Sequence, residues 1–356
     1  MQILKLRLSD FRNFGKKLIE FNPGINVITG PNGSGKTNIL ESLQLLATGK
    51  SFKAKVEQEM INYGKDIGRV KARIKYDGQI SDLEVTLTRG LIDIGSDHPE
   101  KVAKKRLTKD GLPKRLVDFA GSFKVVIFGP WDLDLVTTSP SLRRRFLDTV
   151  LSQTDREYRR SILSYEKGLR QRNRLLYKIR EGMISTGQLV FWNQLLIKNG
   201  DYISGKREEL IEYINSREAL GSTIYSLEYD KSIISEGRLE DYKEEEVAAA
   251  TTLVGPHRDD MLFRIKNKKF KIERDLSSFG SRGEQRMGVL WLKMAELSFV
   301  ESVSGERPTL LLDDIFSELD ERHRKIVIGV VDSQQTIITT TDEHITGFKK
   351  VEKIRL

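Results

Sequence analysis

The sequence has 356 residues; 38% are hydrophobic, 31% are charged, and 60 Lys and Arg against 51 Asp and Glu give a formal net charge of +9. This composition is typical of a globular protein and excludes collagen-like, mucin-like and disorder-dominated chains. The sequence has no cysteine and four histidines, which excludes disulfides, thiolate zinc sites and cysteine nucleophiles. We therefore expect any bound metal on oxygen ligands.

The hydropathy of the chain indicates a soluble protein, and its positive charge suggests a polyanionic partner, with a basic surface that is merely solvated as the alternative. Basic side chains favour nucleic acid, because they release counterions when they neutralise phosphates. The sequence contains no apolar run of about 18 residues, the length that a membrane-spanning helix needs. Its first residues alternate apolar and polar types instead of building a signal-peptide core. We expect a cytoplasmic protein with no membrane partner.

The N-terminal part of the chain is rich in predicted strands. Apolar residues recur over residues 3–8, and a short apolar run at residues 25–28 leads into glycine. Alternation resumes over residues 69–94. The continuous apolar run at residues 125–128 is typical of a strand that is buried on both faces.

A phosphate-binding motif follows the strand at residues 25–28. Its glycines let backbone N–H groups converge on phosphate oxygens, and the helix predicted after it adds a positive N-terminal end. In this chemistry Lys36 bridges the β- and γ-phosphates of a nucleotide, and the Thr37 hydroxyl ligates Mg²⁺. The motif is G-x-x-x-x-G-K-[ST], the P-loop or Walker A sequence, and comprises Gly30, Pro31, Asn32, Gly33, Ser34, Gly35, Lys36 and Thr37.

The middle of the chain changes to a helical pattern. Ser139 and Pro140 form a predicted N-cap and first-turn proline. Over residues 151–179, apolar and aromatic residues recur every three or four positions. After a breaker at residues 182–187, a similar rhythm runs through residues 192–213. We interpret the two stretches as a helical hairpin.

Basic clusters lie on and beside the predicted hairpin. Clusters on projecting helices could line a channel for duplex DNA and contact its phosphates with little sequence preference. For each cluster taken separately, a solvated helix face is the alternative. The candidate DNA contacts are Arg143, Arg144, Arg145, Arg159 and Arg160.

A turn containing serine and glycine precedes the next amphipathic helix. Ser281 and Gly283 lie at the predicted helix start, where a hydroxyl and a glycine amide can form an anion site. Ser281 and Glu284 also match the S-x-x-E capping box. The two interpretations are compatible, because the same groups can serve both purposes.

A second apolar strand ends in two carboxylates. Residues 308–312 are followed by Asp313 and Asp314, which is the Walker B pattern that a P-loop needs. We expect Asp313 to hold Mg²⁺ through water, and Asp314 to orient or deprotonate the attacking water as general base. Lys36 and Asp314 are thus the candidate catalytic residues, and Thr37 and Asp313 the candidate metal site.

These motifs, in this order, resemble the head of an ABC-type ATPase: Walker A, a signature S-x-G-x-Q beginning at Ser281, Walker B, and a D-loop at residues 317–320. The similarity is closer than that superfamily and runs essentially end to end. The chain resembles the RecF family of DNA replication and repair proteins. The stretches that carry this resemblance are residues 10–14, 128–133, 139–148, 255–260 and 311–320.

The resemblance implies an α/β fold, with an ABC-type P-loop ATPase head built on a mixed sheet and an inserted helical-hairpin lobe. The head, or lobe I, would comprise residues 1–140 and 251–356. The basic helical arm, or lobe II, would comprise residues 141–250. Arg12 and Asn13 resemble nucleotide-contacting residues near the N-terminal strand.

The resemblance also implies an ATP-dependent DNA-binding clamp with a weak, Mg²⁺-dependent ATPase activity. Two heads would sandwich two ATP molecules, with Ser281 and Gly283 contacting the γ-phosphate held by the partner's Lys36 and the partner's Thr37. The implied cofactors are ATP and Mg²⁺. Such a homodimer acts in DNA repair, replication, recombination and the SOS response, at gaps and duplex/single-strand junctions of nucleoid DNA. It works with RecR and RecO to help load RecA.

Two positions depart from the usual patterns. Glu284 stands where the RecF signature usually has Gln, which places a carboxylate near a phosphate site and could weaken dimerisation unless Arg282 or Arg286 neutralises it. Asp314 stands where most ABC-type ATPases have Glu. RecF proteins share this Asp, and its shorter side chain is compatible with slow turnover.

Three alternatives remain open from the sequence. The first is the ATPase subunit of a membrane transporter, which predicts a compact helical subdomain instead of a long basic insertion. The second is another relative of the SMC/Rad50 DNA-organising ATPases, although only about 110 residues separate the two parts of the head here. The third is an interaction protein that binds ATP without hydrolysing it.

Overall fold

The structure, a computed structural model, describes residues 1–92, 100–218, 223–267, 272–317, 321–342, 348 and 351–356. Its contacts divide the chain into two compact units. The first is Met1–Asp132 with Val300–Leu356, and the second is Leu133–Phe299. The second unit therefore includes residues 251–299, which the sequence-based division assigns to the head. Among the described helices, none is long and apolar enough to cross a membrane.

Helices and strands are intermixed along the chain, as an α/β fold requires. The described strands are β1 (Gln2–Phe11), β2 (Phe14–Glu20), β3 (Ile25–Thr29), β4 (Ile67–Tyr76), β5 (Gln79–Thr88), β6 (Leu91–Ile92), β7 (Glu100–Lys101), β8 (Lys105–Lys109), β9 (Leu112–Lys114), β10 (Val125–Phe128), β11 (Thr223–Asp230), β12 (Asp260–Asn267), β13 (Glu273–Asp275), β14 (Thr309–Asp313), β15 (Thr336–Thr340) and β16 (Val351–Arg355). The described helices are α1 (Lys36–Thr48), α2 (Leu116–Phe119), α3 (Asp134–Thr137), α4 (Pro140–Thr154), α5 (Arg156–Arg180), α6 (Val190–Asn215), α7 (Glu236–Asp241), α8 (Lys243–Ala249), α9 (Leu276–Phe279), α10 (Arg282–Ser304) and α11 (Glu321–Val331).

The larger sheet of the first unit is antiparallel, with strand order β2-β1-β4-β5-β8-β9. Alternate residues such as Leu6, Leu8, Val70 and Val85 are fully buried in the core. The residues between them face away from the core. The period-two pattern of the sequence therefore arises because one face of this sheet is buried and the other is polar.

The second sheet of this unit is parallel, with strand order β10-β14-β15-β3-β16. Every residue of β3, β10, β14 and β15 is buried, which confirms the predicted doubly buried strand at Val125–Phe128. In a parallel sheet the carboxyl ends of the strands lie at one edge. The loop after β3 and the two carboxylates after Leu312 therefore lie at the same edge.

In the second unit, α5 and α6 form the predicted helical hairpin. The seam over residues 151–179 is not one continuous helix, because Asp155 separates α4 from α5. Its carboxylate accepts hydrogen bonds from the backbone N–H groups of Glu157 (2.8 Å) and Tyr158 (3.0 Å) and so caps α5. Gly168 lies where α5 and α6 approach closely, since a Cβ there would lie 2.5 Å from Leu195 Cδ2.

Buried charges join the hairpin to the stretch at residues 255–260. Arg207 is 2% exposed and donates to Asp259 Oδ2 (2.9 Å), to Asp148 Oδ1 (2.8 Å) and to the Pro256 carbonyl oxygen (2.7 Å). Asp259 is fully buried and also accepts a hydrogen bond from the Tyr229 hydroxyl. Removing one member would leave an uncompensated buried charge, so these groups act as a structural unit.

Candidate functional site

The P-loop connects β3 to α1 through two glycines in the left-handed backbone region. Gly33 has a φ of 81° and Gly35 a φ of 102°, which residues with a Cβ rarely adopt. Space is restricted as well, because a Cβ on Gly35 would lie 2.6 Å from both Asn13 Oδ1 and Phe14 Cζ. Gly33 and Gly35 are thus required by the fold of the loop.

Lys36 begins α1, and its side chain folds back over the loop. Its Nζ donates hydrogen bonds to the carbonyl oxygens of Gly30 (2.7 Å) and Pro31 (3.0 Å), and the residue is 8% exposed. These contacts hold the ammonium group against the loop whose N–H groups would bind phosphate. The placement suits a cation that contacts the β- and γ-phosphates.

Thr37 and Asp313 meet at the edge of the parallel sheet. The Thr37 hydroxyl donates to Asp313 Oδ2 at 2.7 Å, and the Thr339 hydroxyl donates to Asp313 Oδ1. Mg²⁺ prefers hydroxyl, carboxylate and phosphate oxygens and usually keeps several waters. The pair therefore fits Mg²⁺ bound mainly through nucleotide phosphates. Within the described part of the chain, no group of three or more Asp, Glu or His side chains could hold a metal ion without other ligands.

Asp314 follows Asp313 in an unusual backbone conformation. Its φ is 49°, a value that is uncommon for residues other than glycine. Its N–H donates to the Thr339 carbonyl oxygen at 3.0 Å, and its Oδ1 is buried. Strain of this kind persists where the surrounding structure determines it, and it often marks a functional position.

Arg12 and Asn13 lie beside the P-loop in different roles. Asn13 Nδ2 donates to the Ser34 carbonyl oxygen at 3.0 Å, so this side chain supports the loop. Arg12 forms two hydrogen bonds to the Glu41 carboxylate, of 2.7 and 2.6 Å, and a third of 2.7 Å to the Glu59 carbonyl oxygen. Arg12 thus neutralises a fully buried carboxylate on α1. A direct nucleotide contact by Arg12 stays a prediction.

A cavity of about 730 Å³ adjoins the P-loop on the side of Asn13. Tyr63 is 98% exposed and Val56 54% exposed, so the wall combines an aromatic ring and an aliphatic side chain with polar groups. Arg12 and Asn13 belong to a stretch that resembles RecF proteins, but no sequence motif marks the rest of this cavity, which is assembled from separate segments of the chain. The cavity is lined by Arg12, Asn13, Asn38, Lys53, Val56, Gln58, Glu59, Ile61, Tyr63 and Arg89.

The signature residues lie at the start of α10, in the second unit. Ser281 donates to Glu284 Oε2 from its backbone N–H (2.8 Å) and from its hydroxyl (2.9 Å), and the Glu284 N–H donates to Ser281 Oγ (3.2 Å). The predicted capping box is therefore confirmed. Burial, with a smaller contribution from the negative charge of Glu284, raises the pKa of Tyr225 to about 12.

The structure corrects one of the proposed DNA contacts. Arg143 is 7% exposed, pairs with Asp260 through two hydrogen bonds of 2.7 and 2.8 Å, and donates to the Thr138 carbonyl oxygen. A guanidinium held in this way is not available to phosphate, so Arg143 is a structural residue. Arg144 donates to the Asp259 carbonyl oxygen at 2.7 Å.

The other proposed contacts lie closer to solvent. Arg145 is exposed, and Arg160 is 72% exposed with a long ion pair of 3.8 Å to Glu157. Arg159 is half-buried and donates to the Ser152 carbonyl oxygen at 2.6 Å. These three arginines and Arg144 stay candidate DNA contacts. Residues 318–320 of the predicted D-loop lie outside the described residues.

Comparison with known protein families places the whole chain in one group. The family model "RecF/RecN/SMC N terminal domain" matches residues 2–355. The chain is 34% identical over 352 residues to the DNA replication and repair protein RecF of Lachnoclostridium phytofermentans, covering 96% of this chain and 93% of that protein. It is 36% identical over 368 residues to RecF of Herpetosiphon aurantiacus, with coverage of 96% and 94%.

Solved structures give the same result for the fold. A structure of the recombination mediator protein "RecF-ATPrS in RecFOR pathway" matches with a TM-score of 0.86 and 28% identity, covering 99% of this chain and 96% of that one. An SMC head bound to a winged-helix domain of ScpA matches at a TM-score of 0.50 and 16% identity, over 96% and 90% of the two chains, and so shares the fold alone. The α/β ABC-type head expected from the motifs is confirmed, and the chain belongs to the RecF family of DNA replication and repair proteins.

Proposed function

We propose that this protein is an ATP-dependent DNA clamp, a DNA repair ATPase of the RecFOR pathway. One observation carries the proposal. Beneath a P-loop with the required glycine conformations, the Thr37 hydroxyl lies 2.7 Å from Asp313 Oδ2, which is the pairing that a Mg²⁺-nucleotide site needs. Curated RecF proteins match this chain almost from end to end, which supports DNA repair over membrane transport.

Each part of the phosphate site has one task in the proposed hydrolysis. The backbone N–H groups of residues 32–35 bind the phosphate oxygens, and Lys36 neutralises the β- and γ-phosphates. Thr37 and Asp313 would hold Mg²⁺, which, when bound, supplies positive charge to the phosphate oxygens. Asp314 orients the attacking water and accepts its proton.

The cavity beside the P-loop is the proposed site for the nucleoside part of ATP. It begins at Asn13 and Asn38, which are joined by a hydrogen bond of 2.9 Å, and it extends to Tyr63. An aromatic ring can stack on a base, and the Gln58 amide can donate and accept hydrogen bonds at a base edge. In this proposal Tyr63 provides the stacking surface for adenine.

In this proposal, ATP-dependent dimerisation couples nucleotide binding to DNA binding. Ser281 and Gly283 of one copy would contact the γ-phosphate bound by the other copy, so that ATP binds the dimer more tightly than the monomer. Hydrolysis removes this differential affinity and releases the clamp. Turnover is expected to be slow, because the Asp314 side chain is shorter than the Glu usual in related ATPases.

The proposed substrate is duplex DNA at gaps and duplex/single-strand junctions. RecR and RecO are the proposed protein partners, and loading of RecA during recombination and the SOS response is the proposed outcome. The net charge of +9 supports a nucleic-acid partner. Arg144, Arg145, Arg159 and Arg160 are the arm residues that the proposal retains as DNA contacts.

Sedimentation velocity with ATP, with ADP and without nucleotide tests the clamp. We expect dimers with ATP alone. Ser281→Arg should abolish the dimer while the monomer still binds ATP, because the substituted residue belongs to the surface that contacts the other copy. Ser333→Arg, at an exposed serine of the first unit, is the matched control and should dimerise normally. A wild-type chain that stays monomeric with saturating ATP contradicts the proposal.

A further inference from the structure

The antiparallel sheet of the first unit carries a line of cations on its outer face. In this sheet, residues directly opposite each other on neighbouring strands point to the same side. Ser9 lies opposite Lys16 on β2 and Arg69 on β4, Thr86 lies opposite Arg69, and Arg106 on β8 lies opposite Thr86. Lys16, Arg69 and Arg106 therefore form one row across five strands, which we call the first outer row.

A second outer row lies two residues further along the strands. It contains Arg7 opposite Lys71, and these like charges are direct cross-strand neighbours. Such a pair destabilises a sheet by itself. Lys71 also pairs with Asp82 at 3.4 Å. Arg7, like the three cations of the first outer row, is exposed.

The charges of the outer face are compensated at one end and uncompensated at the other. In the third row, Lys5 pairs with Glu20 at 2.8 Å and Arg73 with Asp82 at 2.9 Å. These ion pairs lower the pKa of Glu20 and raise the pKa of Arg73. By contrast, no described residue forms an ion pair with the exposed cations Arg7, Lys16, Arg69 and Arg106.

The dimensions of the first outer row suit the backbone of a double helix. Strands in a sheet lie about 4.8 Å apart, so Lys16 and Arg106 are about 19 Å apart at the backbone, with Arg69 midway. This span exceeds the width of about 12 Å of the DNA major groove. The cations at the two ends of the row can therefore contact phosphates on opposite sides of one groove.

The residue types of the two outer rows favour a duplex over a single-stranded nucleic acid as the ligand. Proteins that bind single strands present aromatic side chains on which bases stack. The other outward residues of these two rows are not aromatic: they are Ser9, Leu18, Glu84, Thr86 and Thr108. Exposed cations without stacking side chains favour contacts with phosphates alone.

We propose that this outer face binds the phosphate backbone of double-stranded DNA, through Arg7, Lys16, Arg69 and Arg106. The surface belongs to the first unit, whereas the arginines of the helical arm belong to the second. The proposal rests on the proposed function only in taking DNA as the ligand. It does not depend on dimerisation or hydrolysis.

The test is the salt dependence of binding to a blunt duplex, measured by fluorescence anisotropy on the full chain with and without ATP. Each phosphate contact contributes about 0.9 to the slope of log Kobs against log salt concentration. The triple variant Lys16→Gln/Arg69→Gln/Arg106→Gln should lower the magnitude of this slope by about 2.7. Arg69→Gln alone should lower it by about 0.9. Glutamine at outward strand positions leaves the buried face unchanged, and a thermal melt checks the folding of both variants.

A matched control removes the same charge elsewhere. Lys206→Gln/Lys231→Gln/Lys243→Gln replaces three lysines that are held in ion pairs on the second unit. This variant should keep the wild-type slope. An equal fall in the control would show that net charge alone matters and would overturn the assignment of this surface.

The remaining outcomes separate the surface from the wider function. If the triple variant keeps the wild-type slope for the duplex, the proposed surface is overturned while DNA binding stands. The same holds if the triple variant loses affinity only for a single-stranded oligothymidine probe. If the wild-type chain shows no salt-dependent binding to the duplex with or without ATP, the proposed DNA function fails and the surface fails with it. A loss confined to the duplex, in the triple variant and not in the control, supports the proposal.

Discussion

The hydroxyl of Thr37 donates a hydrogen bond of 2.7 Å to Asp313 Oδ2, although 276 positions separate the two residues in the sequence. The contact exists because β3 and β14 belong to one parallel sheet, with β15 between them. Thr339 on β15 donates to the other oxygen of the same carboxylate. One buried carboxylate is thus oriented by hydroxyls from two different elements.

Thr37→Val should weaken binding of Mg²⁺-ATP by about tenfold or more, because it removes a proposed metal ligand and a hydrogen bond to a carboxylate. Binding of ATP in the presence of EDTA should change little. Isothermal titration calorimetry under both conditions measures the difference. Thr149→Val, which removes a hydroxyl that donates to the Arg145 carbonyl oxygen within α4, is the control. Equal losses with and without Mg²⁺ would argue against a metal role for Thr37.

Asp314→Asn should lower the rate of ATP hydrolysis by about 100-fold or more, the usual contribution of a general base. The proposed ATP-dependent dimer should persist longer, since in the proposed mechanism its release depends on hydrolysis. Phosphate release and sedimentation measure the two effects. The control is Asp332→Asn, at an exposed carboxylate. Hydrolysis at the wild-type rate would exclude Asp314 as the base.

Tyr63→Ala should weaken ATP binding by about 5- to 150-fold, which corresponds to the 1 to 3 kcal/mol that an aromatic side chain contributes when it stacks on a base. Inorganic triphosphate has no base, so its affinity should be unchanged. Competition binding compares the two ligands. Tyr177→Ala removes another exposed tyrosine and should affect neither. A parallel loss of triphosphate binding would show that Tyr63 acts on the P-loop instead.

Glu246→Leu should lower the free energy of unfolding by about 3 to 5 kcal/mol, because it leaves a buried guanidinium uncompensated. Arg172 Nη2 lies 2.6 Å from Glu246 Oε2, and the two side chains are 1% and 0% exposed. Urea denaturation measures the loss. Lys243→Gln removes one partner of an exposed ion pair and should cost less than about 1 kcal/mol. Similar costs for the two variants would contradict the argument.

The stability of the second unit should fall as the pH falls from 6.5 to 4. Burial lowers the pKa of His257 from 6.5 to about 4, and its Nδ1 lies 2.8 Å from the Tyr165 hydroxyl. The neutral form is favoured in the folded state, so this stabilisation is complete above pH 6.5. It is lost as the unfolded chain gains a proton that the folded chain does not accept.

The size of this effect is about 3 kcal/mol. Urea denaturation at a series of pH values measures it. His257→Gln cannot titrate and should lose this part of the pH dependence. If His257→Gln loses as much free energy of unfolding as the wild type between pH 6.5 and 4, the effect belongs to other groups.

The phosphate site could be predicted from the sequence because its motifs encode local requirements. A left-handed backbone at Gly33 and Gly35 needs glycine, and a buried strand that ends in Asp313 needs an apolar run before a carboxylate. These constraints act over a few residues. The α/β class was implied by the resemblance to RecF proteins, whereas period-two alternation indicated only strands with one buried face.

Features that depend on contacts between distant parts of the chain could not be predicted from the sequence. Arg143 lies in a run of three arginines that is typical of a DNA contact, but Asp260, 117 positions away, pairs with it. The helical seam gave no sign of the break at Asp155, because apolar spacing continues through it while the side chain caps α5. Apart from Arg12 and Asn13, the residues around the cavity at Tyr63 were not predicted, since they come from separate segments that carry no common motif.

The strand order of the parallel sheet has a consequence for synthesis of the chain. β3 and β10 leave the ribosome early, but their neighbours β15 and β14 follow only after the second unit has been translated. At about 5 to 20 residues per second, β3 waits roughly 15 to 60 s for β15. During that interval its unpaired edges and apolar residues are open to aggregation or to a chaperone. A nascent chain that ends before residue 309 therefore cannot form the Thr37–Asp313 pair, and the proposed metal site is completed only near the end of synthesis.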